Sequence, residues 1–213
     1  MDNAVALVQA YLRVNGYFTV AEYPVVEMTR GGEYRTATDL DILAFRFPRA
    51  GRLTLRRGRG KSPERVETAP DPALGASAEH ADMIVGEVKE GRAVLNEAAS
   101  DPGVLRASLV RFGCCPPEEA ASLVETLLRE GRAVLPVGHQ IRMVAFGSTA
   151  GSGGRYHTIT LGHAVRFLQA YLREHWEVLH LSDQKDPAFG FLMMLEKALP
   201  RSGSKAGGGP RAR

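Results

Sequence analysis

Charge inside two apolar strands constrains this chain more than any other feature. The stretch Thr38-Asp39-Leu40-Asp41-Ile42-Leu43-Ala44-Phe45 carries two carboxylates, and Asp82-Met83-Ile84-Val85-Gly86-Glu87-Val88-Lys89 carries a Glu and a Lys near its end. Nearly continuous apolar runs of this length read as strands buried on both faces. A charge in such a strand is costly unless it is paired or bound to a metal. Strand side chains alternate with period two, so Asp39 and Asp41 share a face, as do Glu87 and Lys89. If the two strands are neighbours, one face gathers carboxylates beside an ammonium.

The flanking pattern predicts an α/β fold with a mixed sheet. Residues 3–14 space their apolar side chains for a helix, with Asp2 or Asn3 to cap it and Asn15-Gly16 to stop it. Residues 17–29 read as a strand bent or ended at Pro24, residues 38–47 as a second and residues 82–89 as a third. Helices are expected over 102–112 and 117–130, strands over 132–137 and 140–147, and a glycine-rich hairpin over 148–154 into a strand at 156–161. Amphipathic helices close the chain at 162–175 and 187–199. The expected organisation is a single domain over 1–200. Within it, 48–80 is a basic, Pro/Gly-rich insertion and 114–200 completes the sheet and covers it with helices. A low-complexity tail at 201–213 is expected to be disordered.

Composition narrows the class. Of 213 residues 44% are hydrophobic and 24% charged, which suits a folded domain with a real core. The net charge of +3 is too small to argue for nucleic acid by itself. No apolar run reaches the roughly 18 residues of a membrane span. The start Met1-Asp2-Asn3-Ala4 lacks a basic, apolar leader, and Cys114 and Cys115 are adjacent, so no disulfide framework forms. The expectation is a reduced, cytoplasmic protein. The six histidines show no zinc spacing, Gly58-Arg59-Gly60-Lys61-Ser62 lacks the first glycine of a phosphate loop, and the glycines of 147–154 precede a strand, not a helix.

The charged cluster suits a hard divalent cation. Magnesium, or manganese in its place, takes oxygen ligands and keeps several waters. Asp41, Glu87 and the Val88 carbonyl supply such oxygens, with Asp39 a secondary candidate. A cation there would acidify a bound water and stabilise charge on a phosphate, and Lys89 would orient that water.

An Asp in one strand followed by Glu-x-Lys in the next resembles the PD-(D/E)xK nuclease superfamily. Thr38 to Ala44 is similar to the E-I-D-I-I-A pattern of members with Mrr-like or Holliday-junction-resolvase-like cores, and Val85-Gly86-Glu87-Val88-Lys89 is similar to the strand bearing E-V-K. The resemblance covers about residues 2–147. It implies a restriction-endonuclease-like αβββαβ core and metal-dependent cleavage of phosphodiester bonds, of DNA or less often RNA. It makes Asp41, Glu87 and Lys89 the catalytic set. The first helix carries Gln9 where many members have a Glu; Glu22 and Glu27 on the first strand are stand-ins. The 46-residue separation of Asp41 and Glu87 requires an insertion.

That insertion is basic. Arg46, Arg49, Arg52, Arg56, Arg57, Arg59, Lys61 and Arg65 face one acid, Glu64, in the same stretch. Next to a phosphate-cutting site, such a run would hold a nucleic-acid backbone, with little aromatic interleaving for base stacking. Two other classes remain: a non-cleaving nucleic-acid-binding module and a protein-interaction subunit on the same fold. A homodimer also stays open. The cation reading makes one structural demand: Asp41, Glu87 and Lys89 must converge on one face.

Overall fold

The computed structural model describes residues 2–51, 53–55, 64–66, 70–135, 137–151, 154–180 and 186–199, the second and third of these by backbone alone. Its first element follows from its cap. The Asp2 carboxylate accepts the Ala4 N–H at 2.8 Å and starts α1 (Asn3–Val14), which buries Val8, Tyr11 and Leu12. Then come β1 (Phe18–Met28), β2 (Tyr34–Arg46), a small hairpin of β3 (Leu53–Leu55) and β4 (Glu64–Val66), a 3-10 turn at Pro72–Leu74, and β5 (Asp82–Arg92). The second half has α2 (Pro102–Arg111), α3 (Ala120–Glu130), β6 (Arg132–Val134), β7 (Gln140–Thr149), β8 (His157–Thr160), α4 (Leu161–Glu174), α5 (Trp176–Leu179) and α6 (Pro187–Ala198). No helix among the described residues is long and apolar enough to cross a membrane.

The result is an α/β structure around a mixed six-stranded sheet, ordered β1-β2-β5-β7-β6 with β8 also on β7. The pairs β1–β2, β2–β5 and β6–β7 are antiparallel, while β5–β7 and β7–β8 are parallel. Both faces are covered, as the unbroken apolar runs require. Ile42, Ile84, Val88 and Phe146 pack with α1, α4 and α6. Leu43, Val85, Ile141 and Met143 pack with α2 and α3.

Three expectations change. Strand β1 runs through Pro24, because β1 is an edge and a missing N–H there breaks no ladder bond. Strand β2 begins at Tyr34, four residues before the apolar run, because its first turns form an arm with β1 that lies beyond the core. The expected hairpin at 148–154 is instead a return to a parallel strand: Val144 registers with His157 and Gly147 with Thr160. The glycines serve close packing there. A Cβ on Gly147 would lie 2.4 Å from the Ala93 nitrogen, and one on Gly151 would lie 2.0 Å from its oxygen. The chain leaving β5 thus lies against the end of β7, tied by the Ala93 N–H to the Thr149 carbonyl at 2.9 Å.

The basic insertion joins the sheet at a pair of buried charges. Arg46 registers with Asp82. Asp82 accepts the Arg142 guanidinium through both oxygens, at 2.8 and 2.6 Å, and the Tyr17 hydroxyl at 2.5 Å. Arg142 also donates to the Leu74 carbonyl at 2.5 Å. Burial works to lower the Arg142 pKa, but the Asp82 bonds outweigh it and hold it up. Asp71 is buried too, and accepts from Tyr11 at 2.7 Å and bonds His163 at 2.5 Å. These contacts clamp residues 71–74 onto the core.

Candidate metal centre

The registered pairs of β2 and β5 stop at Ile42 and Gly86, while β5 continues beside β7 and β2 continues beside β1. Extending the same register sets Asp41 opposite Glu87. There the backbone of β2 no longer serves β5. The Val88 N–H donates to the Asp41 carboxylate, at Oδ2, over 2.8 Å. The strands therefore open at the point where both carry a carboxylate.

Glu87 is fully buried, at 0% exposure. Its Oε1 accepts the Asn96 amide at 2.7 Å and forms an ion pair with the Lys89 ammonium. Its Oε2 is buried and, among the described residues, has no hydrogen-bond partner. Burial pushes the Glu87 pKa up, and the Asp41 charge adds to this against the Lys89 bond. For Lys89, burial pulls down, but the Glu87 hydrogen bond and the charges of Glu87 and Asp41 outweigh it and hold the ammonium charged. The Lys89 side chain stays 39% exposed, and its ammonium carries more N–H groups than the Glu87 pairing uses.

Lys89 is thus paired with Glu87, and the Asp41 charge acts on both from the strand opposite. Val88 joins them: in extended backbone a residue's C=O points to the same strand edge as its N–H, so the Val88 carbonyl also faces β2. Asp39 does not join the set. It is exposed opposite Pro24, and among the described residues it makes no side-chain hydrogen bond or ion pair with Glu87 or Lys89. Glu22, across from Asp41, sits at φ +51° and accepts the Asp2 N–H at 3.2 Å. Glu27 is committed to Arg35 on the arm.

The donor set is entirely oxygen, and one buried carboxylate oxygen lacks a partner. Both fit a magnesium-type cation, which needs only one or two carboxylates and fills its shell with water. Among the described residues no group of three or more His, Cys, Asp or Glu side chains gathers into a fuller cage.

The proposed nucleic-acid contacts divide. Arg46 is a correction: it is 1% exposed and donates to the carbonyls of Asn15, Ser77 and Ala50 at 3.1, 3.0 and 2.7 Å. It anchors the insertion and cannot reach a phosphate. Arg49 is exposed at the insertion's start. Arg52, Arg56, Arg57, Arg59 and Lys61 lie outside the described residues, and of Arg65 only the β4 backbone is described. The insertion leaves β2 five residues beyond Asp41, about 17 Å along the strand, so its root is at the far end of the sheet and not beside the carboxylates.

Sequence reasoning missed Asn96, Arg142 and Asp71. Arg142 and Asp71 have partners 60 residues away, Asn96 meets Glu87 nine residues back in the chain, and only Arg142, a charge within an apolar strand, carried a local signal. Burial pushes the Cys114 thiol up to about 11, which favours the thiol over the reactive thiolate.

No protein-family model, curated protein or solved structure matches this chain.

Proposed function

We propose that the chain is a divalent-cation-dependent nuclease of restriction-endonuclease-like build, cleaving phosphodiester bonds of nucleic acid, with DNA the first substrate to try. One observation carries this reading. A buried carboxylate oxygen of Glu87 lacks any donor, beside a second carboxylate and an ammonium, where two strands part. A purely structural Glu-Lys pair gives no reason to bury that oxygen unpartnered. The order α1, β1, β2, β5, α2, β7, with β5 and β7 parallel, supports the same reading.

Asp41 and Glu87, with the Val88 carbonyl, would hold a magnesium or manganese ion. Such an ion supplies charge stabilisation at a phosphate oxygen and a more acidic water. The Val88 N–H fixes one oxygen of Asp41, and Asn96 with Lys89 fixes one oxygen of Glu87. The Lys89 ammonium then has protons left to orient the attacking water or to meet the charge growing on the phosphate. Arg49 and the other basic residues of the insertion, Arg46 excepted, would contact the backbone of a substrate long enough to span the sheet.

The test is cleavage of a mixed panel of labelled DNA and RNA, with magnesium or manganese, by wild type beside Lys89→Ala. Metal-dependent cutting that the variant loses supports the nuclease and identifies its substrate. Salt-sensitive binding without cutting replaces it with a non-catalytic binding module. Neither activity points to a protein-interaction subunit.

A further inference from the structure

Glu87 is held asymmetrically, by Asn96 and Lys89 on one and the same oxygen. The Asn96 Nδ2 donates to Glu87 Oε1 at 2.7 Å, the same oxygen that meets Lys89. The amide cannot turn round, because its Oδ1 accepts the Ala99 N–H at 2.5 Å. The Asn96 carbonyl accepts the Ser100 hydroxyl at 3.0 Å and its N–H at 3.2 Å, which closes the turn. The segment itself is seated through Ala93, against Gly147 and Gly151, where no Cβ fits. One Glu87 oxygen therefore has two donors and the other has none.

We propose that Asn96, sharing Glu87 Oε1 with Lys89, tunes the cation selectivity of this site by holding that oxygen and leaving Oε2 to the ion. The inference rests on the metal-dependent reading above. A carboxylate with one oxygen already occupied offers only the other. That suits a small octahedral cation such as magnesium. It works against calcium, which takes six to eight oxygens and often both oxygens of a carboxylate. Asn96 is a positioning residue, acting on the ion through Glu87.

The test is titration calorimetry of the full chain with magnesium chloride and with calcium chloride, for wild type and Asn96→Ser. Serine is too short to reach Glu87, yet its hydroxyl can still cap the Ala99 N–H, so the turn is kept and no charge is added. Wild type is expected to bind magnesium more tightly than calcium. The variant is expected to lose roughly 10- to 100-fold in magnesium affinity, with a smaller loss for calcium, and to stay folded in chelator. A variant with an unchanged magnesium-to-calcium ratio overturns the role of Asn96 alone. So does a wild type that prefers calcium, a result independent of how the variant folds. A wild type that binds neither ion overturns the metal site as well.

Discussion

Replacing Glu87 with Gln should make the metal-free protein more stable and the metal-loaded protein less so. Glu87 is fully buried, repelled by Asp41, and leaves one oxygen without a donor. A buried polar atom left unsatisfied costs roughly 1–3 kcal/mol. Gln keeps the shape and removes the charge, and its amide can donate toward Asp41. What is lost is the attraction to Lys89, whose side chain is 39% exposed; at such exposure the pair contributes roughly 0–1 kcal/mol. The net gain is about 1–2 kcal/mol, or about 2–8 °C in melting temperature for a chain of this size. The assay is urea unfolding at neutral pH in chelator, followed by the fluorescence of the single tryptophan, Trp176. Adding magnesium at a hundredfold excess over its Kd should stabilise wild type by about 2.7 kcal/mol and the variant hardly at all, so the order inverts. The pH dependence has a fixed sign. The fold holds the Glu87 pKa above its ordinary 4.5, so the penalty is in force above the folded value and absent below 4.5, where Glu87 is protonated folded or unfolded. The variant's advantage should therefore shrink as the pH falls toward 4.5. A variant less stable than wild type in chelator at neutral pH would refute this reasoning and make Glu87-Lys89 a structural ion pair.

Two further outcomes concern the framework. Asp82→Ala leaves the buried Arg142 guanidinium and the Tyr17 hydroxyl without their acceptor, and should cost about 3–5 kcal/mol in urea unfolding; a loss under about 1 kcal/mol would contradict it. At Asp71, burial works to raise the pKa, but the bonds from Tyr11, Ala73 and His163 outweigh it and hold the carboxyl below its ordinary 3.8. Its stabilisation is present above 3.8 and lost as the pH falls through the lower folded value, so Asp71→Asn should be less stable at pH near 6 and decline less steeply in acid. Equal acid slopes for the two proteins would show that Asp71 contributes nothing to acid unfolding.

What was legible from the sequence was local. The cap at Asp2 and the apolar spacing of α1 fix that helix through contacts within a few residues. Asp41, Glu87 and Lys89 stood out because a charge in an apolar strand needs a reason, and period two assigned their faces. The early start of β2 at Tyr34 left no signal, since an arm outside the core needs no apolar alternation. The basic run of the insertion was plain, but Arg46 looks like its neighbours in sequence and differs only by the three carbonyls that enclose it.

The sequence by itself determined the longer helices, though not the short α5, as well as which strands are buried on both faces and which charges those strands must accommodate. Local hydrogen bonding and side-chain period are enough for that. Only the tertiary structure decided that β2 and β5 part at Asp41 and Glu87, that β8 returns parallel to β7, and that Asn96 comes back onto Glu87 while Arg46 is consumed in anchoring. Each of these depends on which strands become neighbours and how closely backbones approach, and long-range packing sets both.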